Sequence, residues 1–322
     1  MNNHTIKIGS TNIAKITKQA DMNEFVKTLG LSSDTLVIKP NWVQARQGTY
    51  TDAKVLDLFL TAVDKPAIFV ESYTFWRTDK YAIGGGDYFS SKESFLDTGK
   101  KHWDHFKKQD QWFLEASGIK DFLEKHQAKY LNITNEVWEG KVADREKIKK
   151  LVEEKYEPVY FKELYSFIPQ ELYQLIGADF ISFSKAKKEK EYAVTLSTKN
   201  LFGLIPAPRR YPKYHGEDDK LLARSIADIN KIYRSIFNCT FIVDGVFTAS
   251  FAQSMEEVAC VKDWGVIFGG KNSIEVDKIA EKLLGADIST ATVDTLKLSR
   301  GIFGDVDNQI LSKIPSKLVI KY

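Results

Sequence analysis

At 322 residues, with apolar types at 43% and charged types at 28%, the chain can bury roughly 75% of the surface it exposes when extended, without disulfides or a structural metal. Its 46 Lys and Arg against 43 Asp and Glu give a formal charge of +3, too even and too mixed along the chain to argue for nucleic acid or a membrane surface. Two cysteines, Cys239 and Cys260, cannot alone supply a four-thiolate iron–sulfur or an all-cysteine zinc site, and they suit a reducing compartment.

Taken in chain order, TIKIGS reads as a short strand and a polar helix is expected over about 21–30. TLVIKPN at 35–41 is a buried strand that stops at Pro40, because the residue before a proline is held extended and the proline ends the ladder. Val55, Leu58, Phe59 and Ala62 share one face of a helix from Asp52 to about Val63, and PAIFVES at 66–72 is a second buried strand. Continuously apolar strands joined by a helix predict a parallel sheet covered on both faces. Residues 73–111, with Gly84, Gly85, Gly86 and most of the basic-aromatic run KKHWDHFKKQDQWF, have no clean period and read as a long insertion or lid. A helix is expected over 113–125 and a strand over 128–133; the charged 142–156 run is a short element or rim helix. A helix at 170–176 and strands at 178–184 and 192–197 follow.

Further on, Leu222, Ile226, Ile229, Tyr233 and Ile236 recur at helical spacing within 218–237. CTFIVDG at 239–245 and WGVIFGG at 264–270 are strands, SIEVDKIAEKLLG is a helix with Gly285 at its end, and SKLVIKY closes the chain as an edge strand. Cys239, beside the apolar run TFIV, is expected as a buried free thiol. The fold class is α/β: a mostly parallel sheet flanked by helices, Rossmann-like in three layers, forming one domain over 1–322 with a long insertion after the second core strand.

Ligands of parallel α/β sheets bind beyond the carboxyl ends of the strands. The polar residues at those exits are Lys39 and Asn41, Glu71, Lys185, Lys199 and Asn200, and Asp244. The segment 198–216 adds Arg209, Arg210, Lys213 and His215 and contains no carboxylate, so it offers guanidinium forks to a carboxylate or phosphate. His215, the one histidine there, suits proton transfer near neutrality. Gly269 and Gly270 follow an apolar strand and precede a helix, where amides can receive a cofactor's anionic group or simply make a tight turn.

No P-loop, GxSxG elbow, HExxH or dinucleotide fingerprint occurs. His102 and His105 read as a solvated patch rather than a metal site, and Glu217, Asp218 and Asp219 as acidic residues favoured at a helix start. No stretch approaches about 18 apolar residues and MNNHTIKIG has no apolar leader, so neither a membrane span nor export is expected and a cytoplasmic location is.

VIKPN at 37–41, VES at 70–72, TLSTKNLFGLIP at 195–206, the arginines before His215, Asp228, IVDG at 242–245 and VDKIAEKLLG at 276–285 together resemble the large domain-of-unknown-function family numbered 362. The resemblance runs in family order over about 35–285. It implies an α/β fold and a cytoplasmic, redox-linked role, with Lys39, Asn41, Glu71, Lys199, Asn200, His215, Asp244 and Asp277 at the family's polar positions. Some relatives append a cysteine-rich ferredoxin-like domain; this chain contains no such segment, so an iron–sulfur cluster of its own is not expected.

Two functions fit these residues. One is an enzyme acting on a small anionic metabolite, with Lys39, Lys199 and Arg209 or Arg210 neutralising it, Lys185 among the binding cations, and Asn41 and Asn200 orienting it. His215 is then the general acid or base, with Glu71 or Asp244 as its partner or as the second proton carrier. The other is a non-catalytic binding or accessory protein for an anionic metabolite or cofactor, using the same cations. The 73–111 insertion is either a lid over the site or a contact for a protein partner or second copy of the chain.

Overall fold

The computed structural model describes residues 5–46, 48–74, 77, 99–189, 193–208, 210–251, 258–286 and 293–320. Its centre is a run of short apolar segments whose alternate side chains go to opposite faces of one sheet. Strands β3 (Leu36–Pro40), β4 (Ala67–Glu71), β5 (Lys129–Asn132), β6 (Asp179–Glu189) and β8 (Asn238–Phe251) pair in parallel in the order β5-β4-β3-β6-β8. The chain winds one way from β3 to β5 and the other from β6 to β8. The reversal lies between β3 and β6, which is where an open α/β sheet leaves a crevice at its carboxyl edge.

Beyond β8 the sheet turns antiparallel. Strand β9 (Val258–Gly270) runs back along β8, β2 (Thr11–Lys15) pairs with β9, and β1 (Thr5–Ile8) forms the edge, while short β7 (Ala193–Thr195) pairs antiparallel with the end of β6. The arrangement is the expected Rossmann-like α/β sheet, extended by an antiparallel wing.

Leu36, Ile38, Phe69, Ile181 and Phe183 meet helices α1 (Gln19–Lys27), α2 (Ala53–Val63), α3 (Trp103–Ala116) and α4 (Ile119–Lys125) on one face. Val37, Val70, Phe180, Val243 and Phe268 meet α5 (Arg145–Glu153), α7 (Leu222–Ile236) and α8 (Ser273–Leu283) on the other; between β7 and α7 lies the short helix α6 (Ser197–Asn200). All five residues read as the apolar stripe of α7 are buried, and full burial of each such side chain contributes about 1.5–3 kcal/mol.

Several expectations need correction. Thr11–Lys15 is a strand, which makes a hairpin of the N-terminus and starts α1 at Gln19. The basic-aromatic run belongs to α3 from Trp103 onward: Phe106 and Phe113 are its buried stripe, and the polar Gln109 and Asp110, buried between them, break the apolar period. Among its described residues SKLVIKY adds no strand; Ser316–Leu318 is a turn of 3₁₀-helix, and the outermost strands of the sheet are β1 and β5. The glycine run at 84–86 and most of the expected lid lie outside the described residues.

Candidate functional site

Toward the carboxyl edge, residues at the ends of β3 and β4 converge with residues farther along the longer strands β6 and β8. Lys39, the fourth residue of β3, is buried, with its Nζ 2.8 Å from Glu71 Oε2 at the end of β4. The same ammonium donates to the Pro40 carbonyl at 2.7 Å and lies 3.4 Å from Asn200 Oδ1. Glu71 also accepts from the Trp42 and Ser72 amides, at 3.2 and 3.0 Å. Burial drives the Lys39 ammonium down to about 8, against the opposing pull of the Glu71 carboxylate.

Asn200 and Asn41 bind this pair to the neighbouring strands. Asn200 Nδ2 donates to the Lys39 carbonyl at 3.0 Å and to Ser182 Oγ at 3.1 Å, and its Oδ1 accepts from Asn41 Nδ2 at 3.2 Å. Asn41 Oδ1 in turn accepts from Lys187 Nζ at 3.0 Å. Two residues back on β6, Lys185 Nζ sits 2.7 Å from Asp244 Oδ2, midway along β8, and 3.4 Å from Asp52, which also caps α2. Burial raises the Asp244 carboxyl to about 6 although Lys185 pulls it down.

The loop after β7 closes over the pair. Asp277 on α8 accepts the Ser197 and Thr198 amides, both at 2.8 Å, so it caps α6 and fixes Asn200 one turn later. Arg210 donates to the carbonyls of Ile205 (3.0 Å), Gly203 (2.8 Å) and Tyr73 (3.3 Å), and burial lowers its guanidinium to about 10. Gly203 leaves room for the pair: a Cβ there would stand 2.9 Å from Lys39 Nζ and 3.1 Å from Glu71 Oε1, so one of them would have to shift. On the far side Arg77 binds the Ser72 carbonyl and Asp110 of α3, and Asp110 accepts from Tyr130 (2.8 Å) and Asn132 (3.2 Å).

His215 is buried, with Nδ1 2.5 Å from Asp219 Oδ1 and its ring 5.1 Å from that of Phe202. Burial holds its imidazole below the ordinary histidine value despite Asp219, and the charges of half-buried Lys199 and of Arg210 act in the same direction as burial.

The structure therefore gathers Lys39, Asn41, Glu71 and Asn200 into one hydrogen-bonded cluster, with Lys185 and Asp244 beside it, Arg210 close enough for its charge to act on Lys39 and Glu71, and His215 and Lys199 at the Arg210 side. The carboxylate next to His215 is Asp219, rather than Glu71 or Asp244. Gly269 and Gly270 fall elsewhere. They end antiparallel β9, where Gly270 pairs with Phe241 near the start of β8, so they lie at the amino edge of the parallel strands. A Cβ on Gly269 would stand 2.8 Å from Phe25, and the first amides of α8 are taken by the Asn272 side chain. Arg209 lies outside the described residues.

Sequence reasoning missed Asp110, Arg77, Lys187, Asp219 and Gly203. Lys187 repeats the strand period of Lys185, and Asp219 lies one helical turn from His215; both spacings are signals. Asp228 holds the Tyr160 and Phe161 amides at 2.8 and 3.1 Å and is a backbone clamp. Cys239, expected buried, is a half-buried free thiol that burial pushes up to about 12. Of the insert's aromatics, Phe106 packs with Tyr73, Trp138 and half-buried Trp103, so this stretch carries no exposed aromatic patch among the described residues. Those residues also include no group of three or more His, Cys, Asp or Glu side chains able to hold a metal, and no helix long and apolar enough to cross a membrane.

Residues 36–282 match a protein family described as "Domain of unknown function (DUF362)". Neither the curated proteins nor the solved structures compared with the chain include a match.

Proposed function

The chain belongs to the DUF362 family, and from that premise we propose that it is an enzyme that takes a small anionic metabolite at the carboxyl ends of its parallel strands. One observation carries the reading: among the described residues, Lys39, Arg77 and Arg210 are buried near one another with two carboxylates, Glu71 and Asp110. Among the described residues, Arg210 is bonded to carbonyls alone. Buried charge left without a counter-charge is costly, and an anion supplies one.

In this reading Arg210 and Lys199 attract the anion, Asn41 and Asn200 set its orientation, and Lys39 with Glu71 forms the proton-transfer pair. An ammonium lowered to about 8 releases its proton near neutral pH more readily than a free lysine does. His215, oriented by Asp219, is the second acid or base. Lys185 and Asp244 hold β6 and β8 together beside the pair. A cytoplasmic, redox-linked setting, and contact with a partner or second copy through 73–111, belong to the same proposal; the free Cys239 thiol supports the reducing compartment.

A second reading is favoured by a separate observation. The three ammonium hydrogens of Lys39 are matched by three acceptors, Pro40 O, Glu71 Oε2 and Asn200 Oδ1, which suits a rigid binding protein that needs no proton shuttle. A panel of small carboxylates and phosphate esters, assayed for thermal shift and for product, separates the two. Product formation abolished in Lys39→Met supports the enzyme; a thermal shift with no product from any compound that shifts supports the carrier. No shift and no product across the panel removes the anionic ligand from both.

A further inference from the structure

The opposite, amino edge of the same strands has a different chemistry. A cavity of about 390 Å³ opens there, between the first residues of β6 and β8, lined by Arg234, Lys271, Cys239, Asn238, Tyr156 and Asp179, among others. Lys185 lies six residues along β6 from Asp179, so at about 3.3 Å per residue the cavity is roughly 20 Å from the Lys39 cluster.

Arg234 defines its chemistry. The guanidinium is clamped between the rings of Phe241 and Phe303, 4.5 and 4.3 Å from their centroids. Nη2 donates to Ser273 Oγ at 2.5 Å, Nε is buried with no partner, and no carboxylate among the described residues pairs with the group. Lys271 stands half in solvent at the same cavity, its Nζ 2.7 Å from Thr240 Oγ1. The one carboxylate in the lining, Asp179, is engaged by the Ser32 and Ser33 amides at 2.6 and 2.8 Å and stands 3.7 Å from Lys271. A fork fixed in orientation by two rings, with a lysine across the cavity and no carboxylate of its own, matches a planar or tetrahedral oxyanion. The volume falls within the range of small-molecule sites.

We propose that this cavity is a second binding site, separate from the carboxyl-edge cluster, for a small molecule bearing an oxyanion, with Arg234 as its principal contact and Lys271 as the second charge. The site does not depend on the function proposed for the other edge.

Cys239 supplies the readout, because it is among the residues that line the cavity. The intact protein is alkylated with iodoacetamide, and the rate at Cys239 is followed by peptide mass spectrometry, which distinguishes it from Cys260. Inorganic phosphate and succinate are added in separate arms, with sodium chloride at matched ionic strength as control. Protection of at least threefold at millimolar phosphate or succinate, absent with chloride, is expected; phosphate alone or succinate alone identifies which oxyanion the site takes. Lys271→Ala, a half-exposed position, should reduce the protection several-fold, and Arg234→Gln should abolish it. Lys39→Met should leave it intact. Equal alkylation rates in all arms, or protection unchanged in folded Lys271→Ala and Arg234→Gln, would overturn the proposal. If Arg234→Gln fails to fold, Lys271→Ala alone decides.

Discussion

The two ends of the parallel strands handle buried charge in opposite ways. At the carboxyl edge, ammonium, guanidinium and carboxylate groups are packed together, and Lys39 and Glu71 satisfy each other through a closed set of hydrogen bonds. At the amino edge the Arg234 guanidinium is held by aromatic faces beside an open cavity, with no carboxylate paired to it among the described residues. Among the described residues, the first arrangement is neutralised by its own carboxylates except at Arg210, which is bonded to carbonyls; the guanidinium of the second has no such pairing. One sheet thus presents both a preorganised centre and an unfilled one, and strand direction decides which residues build each.

The sharpest way to break this contrast is to remove one member of the inner pair. Glu71→Ala strands the Lys39 ammonium in the interior and should lower stability by about 3–5 kcal/mol, read from urea unfolding. Replacing both together, Lys39→Met with Glu71→Leu, should restore much of that loss while eliminating any turnover. A Glu71→Ala protein as stable as the parent would mean that the ammonium is not confined as described.

Steric perturbation comes next. Gly203→Ala pushes a methyl group against Lys39 Nζ and should cost about 1–3 kcal/mol, together with ligand binding at the carboxyl edge. Gly269→Ala, crowding Phe25 and Leu29 instead, should cost a similar amount and leave that binding unaltered in the folded fraction. Thermal melts paired with titrations of the same samples distinguish the two.

Titration gives a subtler test. The Asp244 carboxyl is raised from 3.8 to about 6 in the folded chain. Between those values the native state keeps a proton that the unfolded state has released, so this group's contribution to stability is complete below about pH 4 and is lost as pH rises through 6. Asp244→Asn should flatten that segment of the melting-temperature profile. If Lys39 acts as the base, turnover should rise through an inflection near pH 8, and a profile flat across that pH would remove the role. The smallest effect belongs to the amino edge: Lys271→Ala should alter unfolding free energy by no more than about 0.5 kcal/mol, since Lys271 is half exposed.

Much of this architecture is legible in the sequence because parallel strands buried on both faces leave continuous apolar runs, as in LVIKP and AIFVE. Lys39, Glu71 and Asp244 announce themselves as charges set at the ends of such runs. What escapes is polar material inside helices and hairpins. Asp110 interrupts the stripe of α3 because it points inward to hold Arg77, so the residue that carries the interaction also conceals the helix. TNIAK is too short and too polar to signal a strand, and only its pairing with β9 makes it one. Asp219 looks like a helix-start decoration until the fold turns it toward His215.

The Arg77–Asp110 bridge joins positions 33 residues apart and ties both to the carboxyl edge. Each end of the bridge is held by groups that the core already immobilises: Arg77 binds the Ser72 carbonyl, and Asp110 accepts from Tyr130 and Asn132 of β5. Helix α3 is thus bolted to the strand exits by a buried polar contact as well as by its apolar stripe. Arg77→Ala would leave the Asp110 carboxylate buried without its cation, so the damage would reach α3 and β5 together with the Lys39 edge.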